Sequence, residues 1–322
     1  MSCILSWIAG MLFSEAAKKR RFADYARKEK SNLQMEEERR GKKMEKRSFV
    51  KKEITVTGMQ RLTKGSLILF AILFGVGGSI LVSFLFGKQL KEALPNYFVL
   101  RFVSELISAI LGLLLVFAFR KQKVLKASVT GMKEGLACGM AWILLPILVI
   151  ARLVMDLRDI PDLQFIQGWE ILLLLLQCIL IGFFEECVFR GIALELSFEL
   201  FGAGTKKQAK RAILVVSFLF GATHLINAFH PEITLAAASM QALSAMGLGL
   251  VFGAIYFRSE RNIWPCVIFH AIQDASAFIA NGALYGVSQE TAIGKTSVSQ
   301  VFYSLLFVAW FFYLMREQTD EK

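Results

Sequence analysis

Long apolar runs separated by short charged segments set the pattern of this chain. Eight such runs occur, at residues 66–86, 97–119, 135–154, 169–200, 212–229, 235–257, 263–280 and 298–315. Each approaches or exceeds the roughly 20 apolar residues that carry a helix across a bilayer. The apolarity is continuous rather than alternating, which argues against a transmembrane β-barrel. The pattern predicts an all-α, polytopic membrane helix bundle of about eight transmembrane helices, with residues 66–315 as the transmembrane domain. Gly75, Gly77 and Gly78 in the first run, and Gly249-x-x-x-Gly253 in the sixth, predict faces of close helix packing. Arg101 and Glu105 in the second run are four residues apart and predict a pair on one helix face.

The charged segments orient the spans. Arg120, Lys121, Lys123 and Lys126 follow the second run, Lys206, Lys207, Lys210 and Arg211 the fourth, and Arg258 and Arg261 the sixth. Segments after the third, fifth and seventh are acidic or nearly neutral, as with Asp156, Asp159 and Asp162. Lys88 and Lys91 after the first are a mild exception. Basic loops face the cytoplasm, so both termini are expected there, with residues 316–322 as a cytoplasmic tail. The net charge of +11 is largely local, because residues 1–65 hold 17 Lys and Arg against 8 Asp and Glu. That basic region reads as a cytoplasmic or interfacial arm that meets anionic lipid. No nucleic-acid motif accompanies the charge, which excludes that partner class. Met1 to Phe13 is apolar but short, with no basic segment before it, and predicts an interfacial helix rather than a cleaved signal. Cys3, Cys138, Cys178, Cys187 and Cys266 form no CxxC pair and read as small buried hydrophobes.

Candidate chemistry lies where charge interrupts the apolar runs. Glu185, Glu186 and Arg190 follow a stretch that carries no charge after Glu170. Each charge at the bilayer centre costs at least about 2.5–3.5 kcal/mol, so three kept together point to a polar cavity. The chain has only three histidines. His230, beside Pro231, reads as a boundary residue. His224 closes Phe220-Gly-Ala-Thr-His224, and His270 opens His270-Ala-Ile-Gln-Asp274. At about 1.5 Å per residue, Glu185, His224 and His270 all lie roughly 12–20 Å from the basic-loop ends of their helices. They can therefore share one level, in a cavity reached from the cytoplasm or from lipid.

Local spacing suggests roles. Glu186 and Arg190 are i,i+4 and can pair, while Glu185 faces about 100° away and is left for another partner. A carboxylate in such a cavity can act as general base and then acid. An imidazole can orient water or bind a metal. His270 and Asp274, also i,i+4, can pair or face a reacting carbonyl together. Glu185, His224 and His270 are suitable Zn ligand types, but no short ligand spacing accompanies them, so a divalent metal such as Zn stays open. There is no GxSxG and no HExxH. The same charges would also serve a helix lock or a proton relay.

Glu185-Glu186-x-x-x-Arg190, Phe220-x-x-x-His224 and His270-x-x-x-Asp274 together resemble the motifs of the CPBP (Abi) family of intramembrane proteases, which includes the type II CAAX prenyl endopeptidases. The stretch from Gly249 through Trp264-Pro265 to Asp274 is similar to that family as well. The resemblance covers residues 169–280, the expected catalytic core, and none of the first 168. It implies a glutamate-dependent intramembrane endopeptidase in a multi-pass membrane protein. By that resemblance Glu185 and His224 activate water on a membrane-associated or lipidated peptide or protein, and Glu186, Arg190 and Phe220 shape the site. His270 and Asp274 hold the tetrahedral intermediate. Many prenyl endopeptidases have Asn where Asp274 stands, and an ionised Asp cannot donate a hydrogen bond. Eukaryotic relatives trim prenylated tails, whereas bacterial relatives are associated with pheromone maturation or bacteriocin self-immunity. The basic arm leans toward the bacterial cell membrane. Two rival readings stand beside this one: a non-catalytic scaffold or immunity protein, and a proton-coupled transporter.

Overall fold

The computed structural model describes residues 58–159, 164–294 and 299–316. The expectations for the N-terminal arm, its lipid contact, Cys3 and the tail at 317–322 lie outside these residues. Among the described residues the chain is helical with no strand, as the apolar runs predict. Its helices are α1 (Gly58–Ala93), α2 (Tyr97–Ala118), α3 (Val129–Cys138), α4 (Leu144–Asp159), α5 (Gly168–Glu186), α6 (Glu195–Phe201), α7 (Lys206–Thr223), α8 (Leu235–Arg258), α9 (Trp264–Ala280), α10 (Gln289–Gly294) and α11 (Ser299–Leu314).

Among the described residues six helical stretches are long and apolar enough to cross a membrane, including the continuous one from Gly168 to Phe201. The seventh and eighth predicted runs are helices too, but α9 has 17 residues and α11 has 16, both below that length. The first run is longer than predicted at both ends. Its hydropathy stops at polar residues such as Arg61 and Lys91, but nothing in those segments breaks a helix.

The third run shows the largest departure. A single helix at 135–154 is expected, but α3 stops at Cys138 and α4 begins at Leu144, after a 3₁₀ turn at Met140–Ile143. Gly139 caps the break, and a Cβ there would lie 2.0 Å from the Phe269 ring. The break turns Trp142 inward, where it is 1% exposed. Its ring stacks on Phe307 at 5.7 Å and 2°, and its Nε1 donates to Gln273 Oε1 at 3.2 Å. Hydropathy cannot register this, because Trp142 counts as apolar in either arrangement.

The core sits around α8, whose residues Gly247 to Tyr256 are all buried. This helix packs between α7 and α11, while α5 packs against α2 and α9. The predicted small-residue face is used as expected: Cβ atoms on Gly249 and Gly253 would lie 3.1 Å from Ser217 and 2.6 Å from Ile213. Gly75 and Gly78 meet Val188 and Leu111, whereas Gly77 has nothing within 4 Å.

Gly221, three residues before His224, is tightly enclosed between helices. A Cβ there would meet Met246 Cγ at 2.2 Å and the Ala242 carbonyl at 2.5 Å. Gly221→Ala is expected to lower stability by about 1–3 kcal/mol through overpacking. Gly77→Ala, open on that side, should not. Thermal unfolding of both variants in detergent checks this, and equal midpoints would sink the account of α7–α8 packing.

Candidate active site

The chain at Glu185 winds in a way that spacing did not suggest. After α5 the helix widens into a π segment at Cys187–Leu194 before resuming as α6. Every residue of that segment is buried. π-bulges in α-helices are frequent at functional sites, because the extra residue re-aims neighbouring side chains. Here the segment follows Glu186 directly and contains Arg190.

The predicted pair forms. Arg190 Nη1 donates to Glu186 Oε1 at 2.8 Å, with side chains 2% and 0% exposed. Arg190 also donates to the Gly249 carbonyl at 3.3 Å and lies over the rings of Phe220 and Phe252, at 4.8 and 5.4 Å. Planar guanidinium groups stack on aromatic faces in this way, which spreads the buried charge over polarisable neighbours. Phe220, expected beside the site, thus lies against the Arg190 guanidinium. Phe252 and the Gly249 carbonyl were not legible, since an aromatic or glycine on an apolar helix face gives no signal of its own.

Glu186 has a second partner that the spacing missed. Its Oε1 also lies 2.8 Å from His270 Nδ1. A carboxylate held by a guanidinium accepts, so His270 donates through Nδ1 and turns Nε2 the other way. Nε2 faces Glu185 Oε2 at 3.3 Å and Asp274 Oδ2 at 3.8 Å. Glu185 therefore finds the separate partner that its helix position required, and that partner is His270. The Glu185 and Asp274 side chains stay 23% and 20% exposed, so these are the carboxylates a substrate can reach.

His224 ends α7 and opens the 3₁₀ turn His224–Phe229, rather than lying within a continuous helix to 229. Its Nδ1 is 3.0 Å from the Phe220 carbonyl. A carbonyl only accepts, so Nδ1 carries a proton and Nε2 of the neutral ring keeps its lone pair. The Phe220 ring stands edge-on to both imidazoles, 5.0 Å from His224 and 6.2 Å from His270. His224 is within electrostatic reach of His270 and Asp274. Glu185, Glu186, Arg190, Phe220, His224, His270 and Asp274 thus gather in one region. His230 does not join them and instead accepts a bond from the Glu232 amide at 3.3 Å.

Among the described residues no group of three or more His, Cys, Asp or Glu is disposed to hold a metal ion. What the arrangement offers is a partly buried carboxylate against an imidazole, that imidazole fixed from behind by a fully buried carboxylate–guanidinium pair.

Glu186→Ala removes one acceptor from two buried donors. It is expected to cost about 3–5 kcal/mol, the range for breaking a buried charge pair on one side. Thermal unfolding in detergent reads this, and an unchanged midpoint would show that the pair does not hold the site together.

Residues 167–276 match the family model described as type II CAAX prenyl endopeptidase Rce1-like. The match covers about a third of the chain. Neither the curated proteins nor the solved structures contain a match to it. This chain is therefore a multi-pass integral membrane protein whose residues 167–276 are similar to the Rce1-like type II CAAX prenyl endopeptidases, a protease family consistent with the CPBP resemblance.

Proposed function

We propose that this protein is a glutamate-dependent intramembrane endopeptidase that hydrolyses a peptide bond of a membrane-associated or lipidated peptide or protein. The observation that carries this reading is the partly buried Glu185 carboxylate, its Oε2 3.3 Å from the Nε2 of an imidazole whose other nitrogen is fixed by Glu186. Glu185 takes a proton from water, and the resulting hydroxide attacks the carbonyl carbon. The C–N bond then breaks, and Glu185 returns the proton to the leaving nitrogen. His224, with its Nδ1 proton held by the Phe220 carbonyl, offers Nε2 as acceptor to the same water. On this reading a protonated Asp274, or the Nε2–H of His270 once the ring is an imidazolium, donates to the oxyanion beside Glu185. Glu186 and Arg190 are positioning residues, sealed from substrate by burial.

The basic loops, the Lys206 end of α7 among them, face the cytoplasm on this reading, and the arm at 1–65 lies against anionic lipid there. A proton-coupled transporter is the second reading, favoured by Arg101 and Glu105, which pair at 3.0 Å within a membrane helix and which the hydrolytic site does not use.

Glu185→Ala should abolish cleavage while leaving expression and thermal stability near wild type, because Glu185 carries no buried ion pair comparable to that of Glu186. Comparative peptidomics on cells carrying wild type or Glu185→Ala checks it. A peptide released only by wild type supports the reading and names the substrate. Equal cleavage of that peptide by the variant would remove Glu185 from the mechanism.

A further inference from the structure

A second polar network lies on the far side of the site from the basic loops. Arg101 pairs with Glu105 at 3.0 Å, approaches Glu290 Oε1 at 4.0 Å and donates to Gln289 Oε1. Gln177, 1% exposed, donates to the same Gln289 oxygen at 3.1 Å. The Tyr97 hydroxyl accepts from the Gln289 amide at 2.8 Å and donates to Glu290 Oε2 at 3.3 Å. Arg101 Nε and Gln177 Oε1 are buried and have no protein partner.

Helix register places this network on a line with Glu185. Helices α2 and α5 run in the same direction, since Asn96 bonds Glu170 at 2.7 Å at one end and Lys121 pairs with Glu199 at the other. A Cβ on Gly112 would lie 3.1 Å from Phe184 and 3.4 Å from Cys187, so that turn of α2 is level with Glu185. Two turns back along both helices, Glu105 stands beside Cys178. Helix α9 runs the opposite way, and a Cβ on Gly182 would be 3.1 Å from His270 Cβ. One turn on from His270, Asp274 reaches the same level as Glu105. Polar groups thus succeed one another from Glu290 through Arg101 and Gln177 to Glu105 and Asp274, and so to Glu185. In the other direction, toward Lys121 and Glu199, the chain next to Glu186 is the fully buried π segment.

We propose that Glu290, Gln289, Arg101, Gln177, Glu105 and Asp274 line a water path from the Asn96–Glu170 end of the bundle to Glu185. The proposal rests on the hydrolytic reading above. Each cleavage consumes one water, which places a hydroxyl on the acyl carbon and a proton on the leaving nitrogen, and a site in lipid has to be supplied with it. A structural lock accounts for Arg101 and Glu105 alone. It does not account for Gln177 and Gln289, or for a buried donor and acceptor left over between them. A water needs two to four polar partners to sit in a protein interior, and this line offers them in succession. The path opens on the side opposite the basic loops, so the water and the cytoplasmic charge reach the site from different ends.

The test uses the full-length protein in sealed proteoliposomes of known orientation. A charged, membrane-impermeant methanethiosulfonate is applied from each side to Glu105→Cys, and the modified position is mapped by peptide mass spectrometry. The 97–118 helix has no native cysteine, so the label is unambiguous. Labelling of residue 105 from the Asn96–Glu170 side is expected. Labelling only from the basic-loop side, or none, overturns the path. The second arm is Gln177→Leu, whose apolar side chain would block water at similar volume. It should lower kcat at least about tenfold with KM and thermal midpoint little changed, as for a step limited by water supply. Wild-type kcat in that variant overturns the proposal, and so does a rise in KM alone. Labelling of residue 105 without cleavage of any peptide by wild type would instead keep the path, remove hydrolysis and favour the transporter reading.

Discussion

One oxygen holds this site together. Glu186 Oε1 takes a hydrogen bond from Arg190 and one from His270, each at 2.8 Å, deep between α5, the π segment and α9. In a low-dielectric interior neither a carboxylate nor a guanidinium can stand alone, so each fixes where the other must be. The imidazole is then oriented as a consequence: with Nδ1 committed to Glu186, Nε2 can face nothing but the space where Glu185 and Asp274 end. On the hydrolytic reading, the imidazole beside Glu185 is aimed by a fully buried residue, Glu186. That division of labour, with a sealed pair behind and a partly exposed pair in front, is what a positioned general base requires.

The helices are arranged to make that buried charge affordable. Phe220 and Phe252 lie against the Arg190 guanidinium, and the Gly249 carbonyl takes a second of its donors. Gly249 can do this because it carries no side chain, which also lets α7 approach α8 at Ser217. The same glycine therefore serves a packing contact and a charge. A larger residue there would separate the helices and bury the guanidinium with fewer acceptors.

Much of this was legible in the sequence, for identifiable reasons. Charge inside an apolar run is costly, so Glu185, Glu186, Arg190, His224, His270 and Asp274 stood out against their surroundings, and helical rise brought the first glutamate and both histidines to one depth. Spacing of four gave the Glu186–Arg190 and Arg101–Glu105 pairs, both of which form. What stayed hidden depends on contact between segments distant in the chain. The His270–Glu186 bond spans 84 residues, and no local rule predicts it. The π segment and the break at Gly139 were hidden as well. Hydropathy is blind to the pitch of a helix, and a glycine in an apolar run looks the same whether a helix continues through it or stops.

The network around Arg101 bears on how a membrane hydrolase and a membrane transporter differ. Both need charge within the bilayer, and both need it arranged in series, so a list of intramembrane residues cannot separate them. Geometry can. A transporter needs polar access from both faces in turn. In this bundle the polar groups run from one end to Glu185, while on the other side of Glu186 the chain is an uninterrupted buried segment from Cys187 to Leu194. A line of polar groups that ends at a carboxylate beside an imidazole is what the proposed hydrolysis needs for its water. With the Rce1-like match over residues 167–276, which hold Glu185 and Asp274, that asymmetry weighs for hydrolysis.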